Sequence, residues 1–479
     1  MSVPAIATND YWIARAVLQH GIAALYVIAF LSGFAQFPAL LGERGLLPVP
    51  RYLRLVSWRR APSLFHWRYS DRLLRAVTLS GAAIGILLVV GLPQLGPPWA
   101  PMLAFLLMWA LYLSIVNVGQ IFYAFGWESL LLEAGFFAAF LGSDAVAPPA
   151  PVVYLLRWLV FRVEFGAGMI KMRGDPCWRD FTCLYYHHET QPMPGPLSWY
   201  FHRLPKPLHR VEVAANHIAQ LIVPFGLFAP QPVASVCACV VVVTQLWLVA
   251  SGNFSWLNWL TILLAFSAID DRFLGVTHAS VDSGPPWWVG VVLAFSAGMV
   301  VLSYWPAKNL LSRRQLMNAP FNPFHLVNAY GAFGSITRYR DEIVIEGTDA
   351  VRLDESTSWR EYEFKGKPGP LHRRPPQVAP YHLRLDWLMW FAAMSSPQRH
   401  PWFVALVVRL LQADPATLRL LRRDPFDGKP PRYVRALLYR YRFTTWRERR
   451  RSGEWWKREL VGLYLPPLAL ADTPLASRR

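Results

Sequence analysis

The chain has 479 residues, 54% of them hydrophobic and 16% charged, with 22 Trp, 4 Cys and a formal net charge of +18. Its mean hydropathy is positive, and its charged share lies well below the roughly 25% usual in soluble chains. These figures exclude a fully soluble enzyme, a disordered protein and a disulfide scaffold, and they point to a membrane protein with a basic extramembrane part.

Apolar runs near 20 residues read as spanning helices because the hydrocarbon core is roughly 30 Å thick. In chain order they occupy 17–40, 76–95, 99–119, 121–141, 152–171, 210–230, 232–250, 255–270 and 286–305. The expected fold class is a polytopic α-helical membrane protein of about nine TM helices with a C-terminal soluble α+β domain. Only Arg15 stands close before the first run, with no small-residue cleavage site, so that run reads as a retained helix rather than a signal peptide. An Arg-rich first loop (41–75) and a basic loop (172–208) interrupt the runs. With nine spans, both loops and the tail fall on one side, which the positive-inside rule would make cytoplasmic.

Beyond Trp305 no run is long enough to span, and Lys/Arg density rises. The expected division is a transmembrane domain over 1–305 and a basic soluble tail over 306–479. Residues 321–365 alternate as strands do, as in Asp341-Glu-Ile-Val-Ile-Glu346 and Glu361-Tyr-Glu-Phe-Lys365. Residues 380–450 read as helical, through patterns at Asp386–Met394, Trp402–Gln412, Pro415–Arg423 and Pro431–Tyr441.

The segment from Arg157 to Pro224 is the most informative. Arg157, Glu164 and Lys171 recur every seven residues and stack along one face of the fifth run. Gly166 and Gly168 would let a neighbouring helix approach closely. A charge at the bilayer centre costs roughly 2.5–3.5 kcal/mol on insertion scales, so such residues face a bundle interior or an aqueous cavity. Arg162 sits off the stripe and needs another partner, with Glu128 and Glu133 of the fourth run as candidates. Two readings stand: these charges pair only to fix helix packing, or they line a functional cavity.

The loop that follows is dense in reactive groups: Lys171, Arg173, Asp175, Arg179, Asp180, Tyr185, Tyr186, His187, His188 and Glu189. Its strings Gly174-Asp-Pro-Cys-Trp-Arg-Asp180, Thr182-Cys183 and His188-Glu-Thr-Gln-Pro-Met-Pro194, with Tyr200 and His202, closely resemble the lipase maturation factor family. The resemblance continues through His209-Arg-Val-Glu212, Asn216-His217, Ser251-Gly-Asn-Phe-Ser-Trp-Leu-Asn-Trp259 and Asp270-Asp271. In the tail it reappears at Trp359-Arg-Glu-Tyr-Glu-Phe-Lys365, Pro380-Tyr-His-Leu-Arg-Leu-Asp-Trp-Leu-Met-Trp-Phe391 and Tyr439-Arg-Tyr-Arg-Phe443.

The resemblance implies a multi-pass protein that helps lipases reach their active fold in the endoplasmic reticulum. It puts the tail and the 172–208 loop on the non-cytoplasmic side, against the positive-inside reading. The compact Arg/Ala/Pro-rich composition has the look of a high-GC bacterial relative, for which the equivalent place is the inner membrane. The nine-span layout also looks like the vitamin K-dependent carboxylase (HTTM) superfamily, an analogy of fold alone because the carboxylase motifs are not recognisable.

Cys177 and Cys183 are close enough for a disulfide if their side is oxidising, and otherwise read as two buried thiols. Cys237 and Cys239 read as packing residues. Nothing reproduces a closed zinc spacing or HExxH, so no metal and no cofactor are expected, and the histidines read as local hydrogen-bonding groups. The basic tail has no nucleic-acid recognition motif; its Arg/Trp/Tyr mixture suits membrane lipid headgroups or an acidic client surface.

The first functional reading is a chaperone-like assembly protein that holds client lipase, or another exported protein, through Trp178, Tyr185, Tyr186, Asp386, Trp387 and Trp390. The second is a membrane enzyme using Lys171 as base, with Glu164 and His188 as further candidates; no catalytic residue is assigned. The third is a membrane scaffold.

Overall fold

The structure, a computed structural model, describes residues 6–472; the outer ends of the two expected domains, 1–5 and 473–479, lie outside the described residues. All nine apolar runs are at least partly helical. The helices are α1 (Trp12–Leu41), α2 (Asp71–Val89), α3 (Trp99–Val118), α4 (Gly126–Ala138) and α5 (Ala150–Arg173). After two loop and surface segments come α6 (Leu184–Thr190), α7 (Lys206–Leu221), α8 (Val233–Ser251), α9 (Leu257–Ala265) and α10 (Pro286–Leu302).

Among the described residues, five helices are long and apolar enough to cross a membrane: α1, α2, α3, α8 and the run Pro286–Leu311 that begins with α10. They satisfy their own backbone groups and bury or expose apolar side chains alike, as a helix in lipid must. Val236, Val240 and Val243 of α8 and Val300 of α10 face outward. The other four runs differ for local reasons. α4 has 13 residues, almost all buried inside the bundle. α5 has 24 residues but carries Arg157, Arg162, Glu164, Lys171 and Arg173. α7 gives way after Leu221 to a short turn, Val223–Gly226, with Pro at its start. α9 has 9 residues.

Two ends of the bundle are defined by contacts. At one end Arg15 donates to the carbonyls of Ser143 (2.6 Å) and Val146 (2.7 Å), and the backbone amide of Trp12 donates to Asp271 (2.7 Å). At the other end the three basic segments meet. Asn117 donates to Pro62 O of the first loop (2.9 Å) and Pro323 O of the tail (3.1 Å). Trp199 of the 172–208 loop donates to Thr444 O of the tail at 2.8 Å.

The tail contains β1 (Arg340–Thr348), β2 (Arg360–Glu361), β3 (Glu363–Phe364), α11 (Arg384–Ala392), α12 (Pro401–Leu411), β4 (Leu421–Arg423), β5 (Tyr433–Phe443) and β6 (Trp456–Leu468). Strands β2, β1, β5 and β6 form an antiparallel sheet in that order, and β3 pairs with β4. Ile343 faces Leu438 and Ile345 faces Ala436 in the β1–β5 register.

The helical reading of 380–450 requires correction. Pro431–Tyr441 is not a helix: its residues enter β5, the strand between β1 and β6. Its Tyr/Leu/Arg pattern fits a helical period as well as a strand, and pairing on both edges decides the matter in favour of the strand. Pro415–Arg423 likewise forms one turn, Pro415–Leu418, followed by β4. Strand β6 was not anticipated at all. Nor is the tail detached from the bundle: a single apolar core runs from Tyr26 and Phe30 of α1 to Trp387 of α11, Phe403 of α12 and Ile343 of β1.

Candidate functional site

Helix α5 is buried along most of its length, so each of its charges needs a polar partner. Arg162 pairs with Glu133 of α4, both essentially inaccessible to solvent. The same carboxylate accepts from Tyr330 Oη (2.7 Å), Asn328 Nδ2 (2.9 Å) and the Asn328 amide (3.0 Å), so its lone pairs are filled from the tail. Glu128, the other candidate, is taken instead by Arg384 of α11. Arg157 donates to the carbonyls of Ser267 (3.0 Å) and Leu227 (3.2 Å) and has no ion pair among the described residues.

Glu164 and Lys171 belong to one buried amide relay. Glu164 accepts from Gln245 Nε2 (2.6 Å) and Gln220 Nε2 (3.2 Å), and Lys171 Nζ donates to Gln220 Oε1 (2.8 Å) and Asn216 Oδ1 (2.9 Å). Asn258 extends the relay by donating to Gln245 Oε1 at 2.6 Å. The partners come from α7, α8 and α9, all on the side that the seven-residue stripe faces. Gly168 permits this approach: a Cβ there would stand 2.7 Å from the Leu221 side chain of α7.

The loop after α5 folds back on itself and onto the tail. Asp175 accepts from the Cys177 amide (3.0 Å), capping a short turn, and pairs with Arg338 (2.8 Å). Cys177 and Cys183 are bonded to each other, with Cα atoms 4.8 Å apart. Trp178 is buried and donates to Phe333 O at 2.8 Å. Tyr186 lies under the Arg338 guanidinium at 4.8 Å, and Tyr185 packs beside His209 and Lys206. Burial takes His187 and His202 down to about 3, so both rings are neutral at ordinary pH. His188, on α6, is buried beside His209 and Glu212 of α7.

Bundle, loop and tail together line an open cavity of about 1490 Å³. Glu164, Lys171, Asn216, Gln220 and Gln245 form its polar wall; Trp178, Trp387, Trp390 and Trp402 are prominent on its apolar wall. It is larger than the roughly 300–1,000 Å³ of a small-molecule pocket. Of the candidate client contacts, Trp178, Trp387 and Trp390 therefore face this cavity. Trp387 stands edge-on to Trp127 at 4.9 Å, and Trp390 donates to Thr190 O at 2.9 Å. Asp386 presents no outer surface: it is 1% exposed and accepts from the amides of Gly366 (2.6 Å) and Lys367 (3.1 Å), which ties the bend after β3 to α11.

Several buried polar residues around the site carry no sequence motif that marks them. Arg340 and Lys367 flank the fully buried Glu342, at 2.6 and 3.0 Å, and Arg340 also reaches the loop at Pro192 O (2.9 Å). Gln220, Gln245 and Asn258 carry the relay; their presence inside apolar runs was the available signal.

A family model described as the lipase maturation factor transmembrane domain matches residues 13–276, and one described as the lipase maturation factor C-terminal domain matches residues 326–466. The chain is 41% identical to lipase maturation factor 1 of Bos taurus, over 98% of this chain and 91% of that protein. It is 39% identical to lipase maturation factor 1 of Homo sapiens, over 97% and 89% respectively. Against lipase maturation factor 2 of Homo sapiens the identity is 30%, over 96% and 83%. No solved structure matches the chain.

Proposed function

The chain belongs to the lipase maturation factor family, and on that premise we propose that it assists the folding and assembly of secreted lipases or of other exported proteins. The observation that carries this reading is relatedness to two kinds of lipase maturation factor over nearly the whole chain, bundle and tail alike. The geometry supports it in a specific way. A cavity of about 1490 Å³ with Trp178, Trp387 and Trp390 on its wall suits an apolar segment of an incompletely folded client better than a small metabolite. Half-buried Tyr185 and Tyr186 would meet the client beside it.

The nine apolar runs are proposed to traverse the membrane as nine helices, with α4, α7 and α9 sheltered inside the bundle where their short lengths are tolerated. The loop, the first loop and the tail then share one side, and the Cys177–Cys183 bond favours an oxidising, non-cytoplasmic side for them. The Arg/Ala/Pro-rich composition favours a bacterial inner membrane, the counterpart of the endoplasmic reticulum membrane. Exposed basic residues at that face would meet anionic lipid headgroups.

The test is binding of a lipase by the purified full-length protein in detergent. The reading expects tighter binding of unfolded than of native lipase, and equal affinity for the two forms would refute it.

A second reading, an enzyme using Lys171 as base, is favoured by one observation: Lys171 and Glu164 stand on the cavity wall. Against it, the Lys171 ammonium is already engaged by two amide oxygens.

A further inference from the structure

We propose that His188, His209 and Glu212 form a Zn²⁺ site that pins the 172–208 loop to α7. The inference stands on three donor atoms that converge and are otherwise unused. His188 Nε2 and His209 Nδ1 each lie 3.7 Å from Glu212 Oε2, and all three atoms lie within 4.8 Å of one another. At 3.7 Å neither contact is a hydrogen bond.

Burial makes this arrangement costly unless something fills it. His188 is 1% and His209 2% exposed, yet both ring nitrogens of His188, Nδ1 of His209 and Oε2 of Glu212 have no hydrogen-bond partner. The other carboxylate oxygen is occupied: Trp247 Nε1 of α8 donates to Glu212 Oε1 at 2.6 Å. That bond turns Oε2 toward the histidines, as an orienting partner does for a metal-bound carboxylate. Phe201 and Tyr185 wall the histidines.

Two imidazole nitrogens and one carboxylate oxygen are the donor types of zinc sites with three protein ligands. Zinc bonds of about 2.0–2.1 Å set neighbouring donors roughly 3.4 Å apart, which small ring movements supply here. Glu212 borders the central cavity, from which a water completes the fourth position. His209 and Glu212 are one helical turn apart on α7, whereas His188 is on α6, so the ion joins two elements across the loop. The other cluster of potential ligands among the described residues, Asp175 with Cys177 and Cys183, is unavailable because its sulfurs are bonded to each other. This site departs from the metal-free expectation of the sequence, and it does not depend on the client reading.

The experiment measures zinc by mass spectrometry in the full-length protein purified in detergent without chelator. The expected result is about one Zn²⁺ per chain, falling at least about tenfold in His188→Ala, His209→Ala and Glu212→Ala and unchanged in the exposed control His372→Ala. Trp247→Phe should weaken Zn²⁺ affinity by about 10–100-fold. Because ligand variants can fail to fold, the chelator-stripped wild type is also loaded with Co²⁺, whose visible absorption should show nitrogen and oxygen donors in a tetrahedral field. Wild-type protein that neither retains Zn²⁺ nor takes up Co²⁺ overturns the site, as does zinc content that ignores all three substitutions.

Discussion

Replacing Arg384 by Met should loosen the tail from the bundle, because this guanidinium forms a fully buried ion pair between them. Arg384 and Glu128 are both fully buried and ion-paired across 256 residues of sequence. The guanidinium lies 3.6 Å from the Tyr123 ring and also donates to Phe122 O (3.3 Å) and His382 Nδ1 (2.7 Å). Tyr112 holds the far side of the Glu128 carboxylate. Met fills similar volume but leaves that carboxylate without its cation, an error that costs about 3–5 kcal/mol in a buried pair. At 1.36 kcal/mol per decade, the docked state should weaken by roughly two to four orders of magnitude. The double variant Arg384→Met, Glu128→Gln removes both charges and should recover part of the loss. Thermal unfolding followed by Trp fluorescence in detergent, with protease sensitivity of the tail as a second readout, measures both effects. A single-variant loss below about 1 kcal/mol, or strict additivity in the double variant, would refute the reasoning.

Three further outcomes follow from individual groups. Burial, aided by Arg384, lowers His382 to about 4 from 6.5, so the unfolded chain takes up a proton first as pH falls. Stability should be fully present above pH 6.5 and decline between 6.5 and 4 on acid titration; a flat profile there would contradict a neutral buried His382. Cys177→Ser should destabilise the protein by about 2 kcal/mol, the entropy of a short closed loop, and treatment with reductant should lower the melting temperature of wild type but not of the variant. Lys171→Met, checked for normal membrane insertion, should leave lipase maturation intact, since Lys171 serves the buried relay with Gln220 and Asn216; complete loss of the phenotype would favour the enzyme reading.

The readable part of the site was the part written on one helix. Arg157, Glu164 and Lys171 share a face by spacing alone, and Arg162 off that face required an acid from the preceding run, which Glu133 supplies. The partner of Glu128 was unreadable because Arg384 arrives from the tail, and no local period connects them. His188 meets His209 and Glu212 only after the intervening loop has turned back, held where Ser198 and Gln191 donate to Ser251 O (2.6 and 2.8 Å). In the tail, β1 was legible from the alternation in Asp341–Glu346, whereas β5 carries Leu437, Leu438 and Tyr441 at spacings a helix also uses. Apolar length located the helices but not which of them face lipid. That depends on neighbours: α4 is wrapped by the bundle and α8 is open on one side.

The central claim is tested most directly by deleting the gene in its native host and measuring secreted lipase activity per unit of lipase antigen. Specific activity should drop while antigen is still made, and the full-length protein should restore it when supplied back. Unchanged specific activity in the deletion strain would contradict a maturation role.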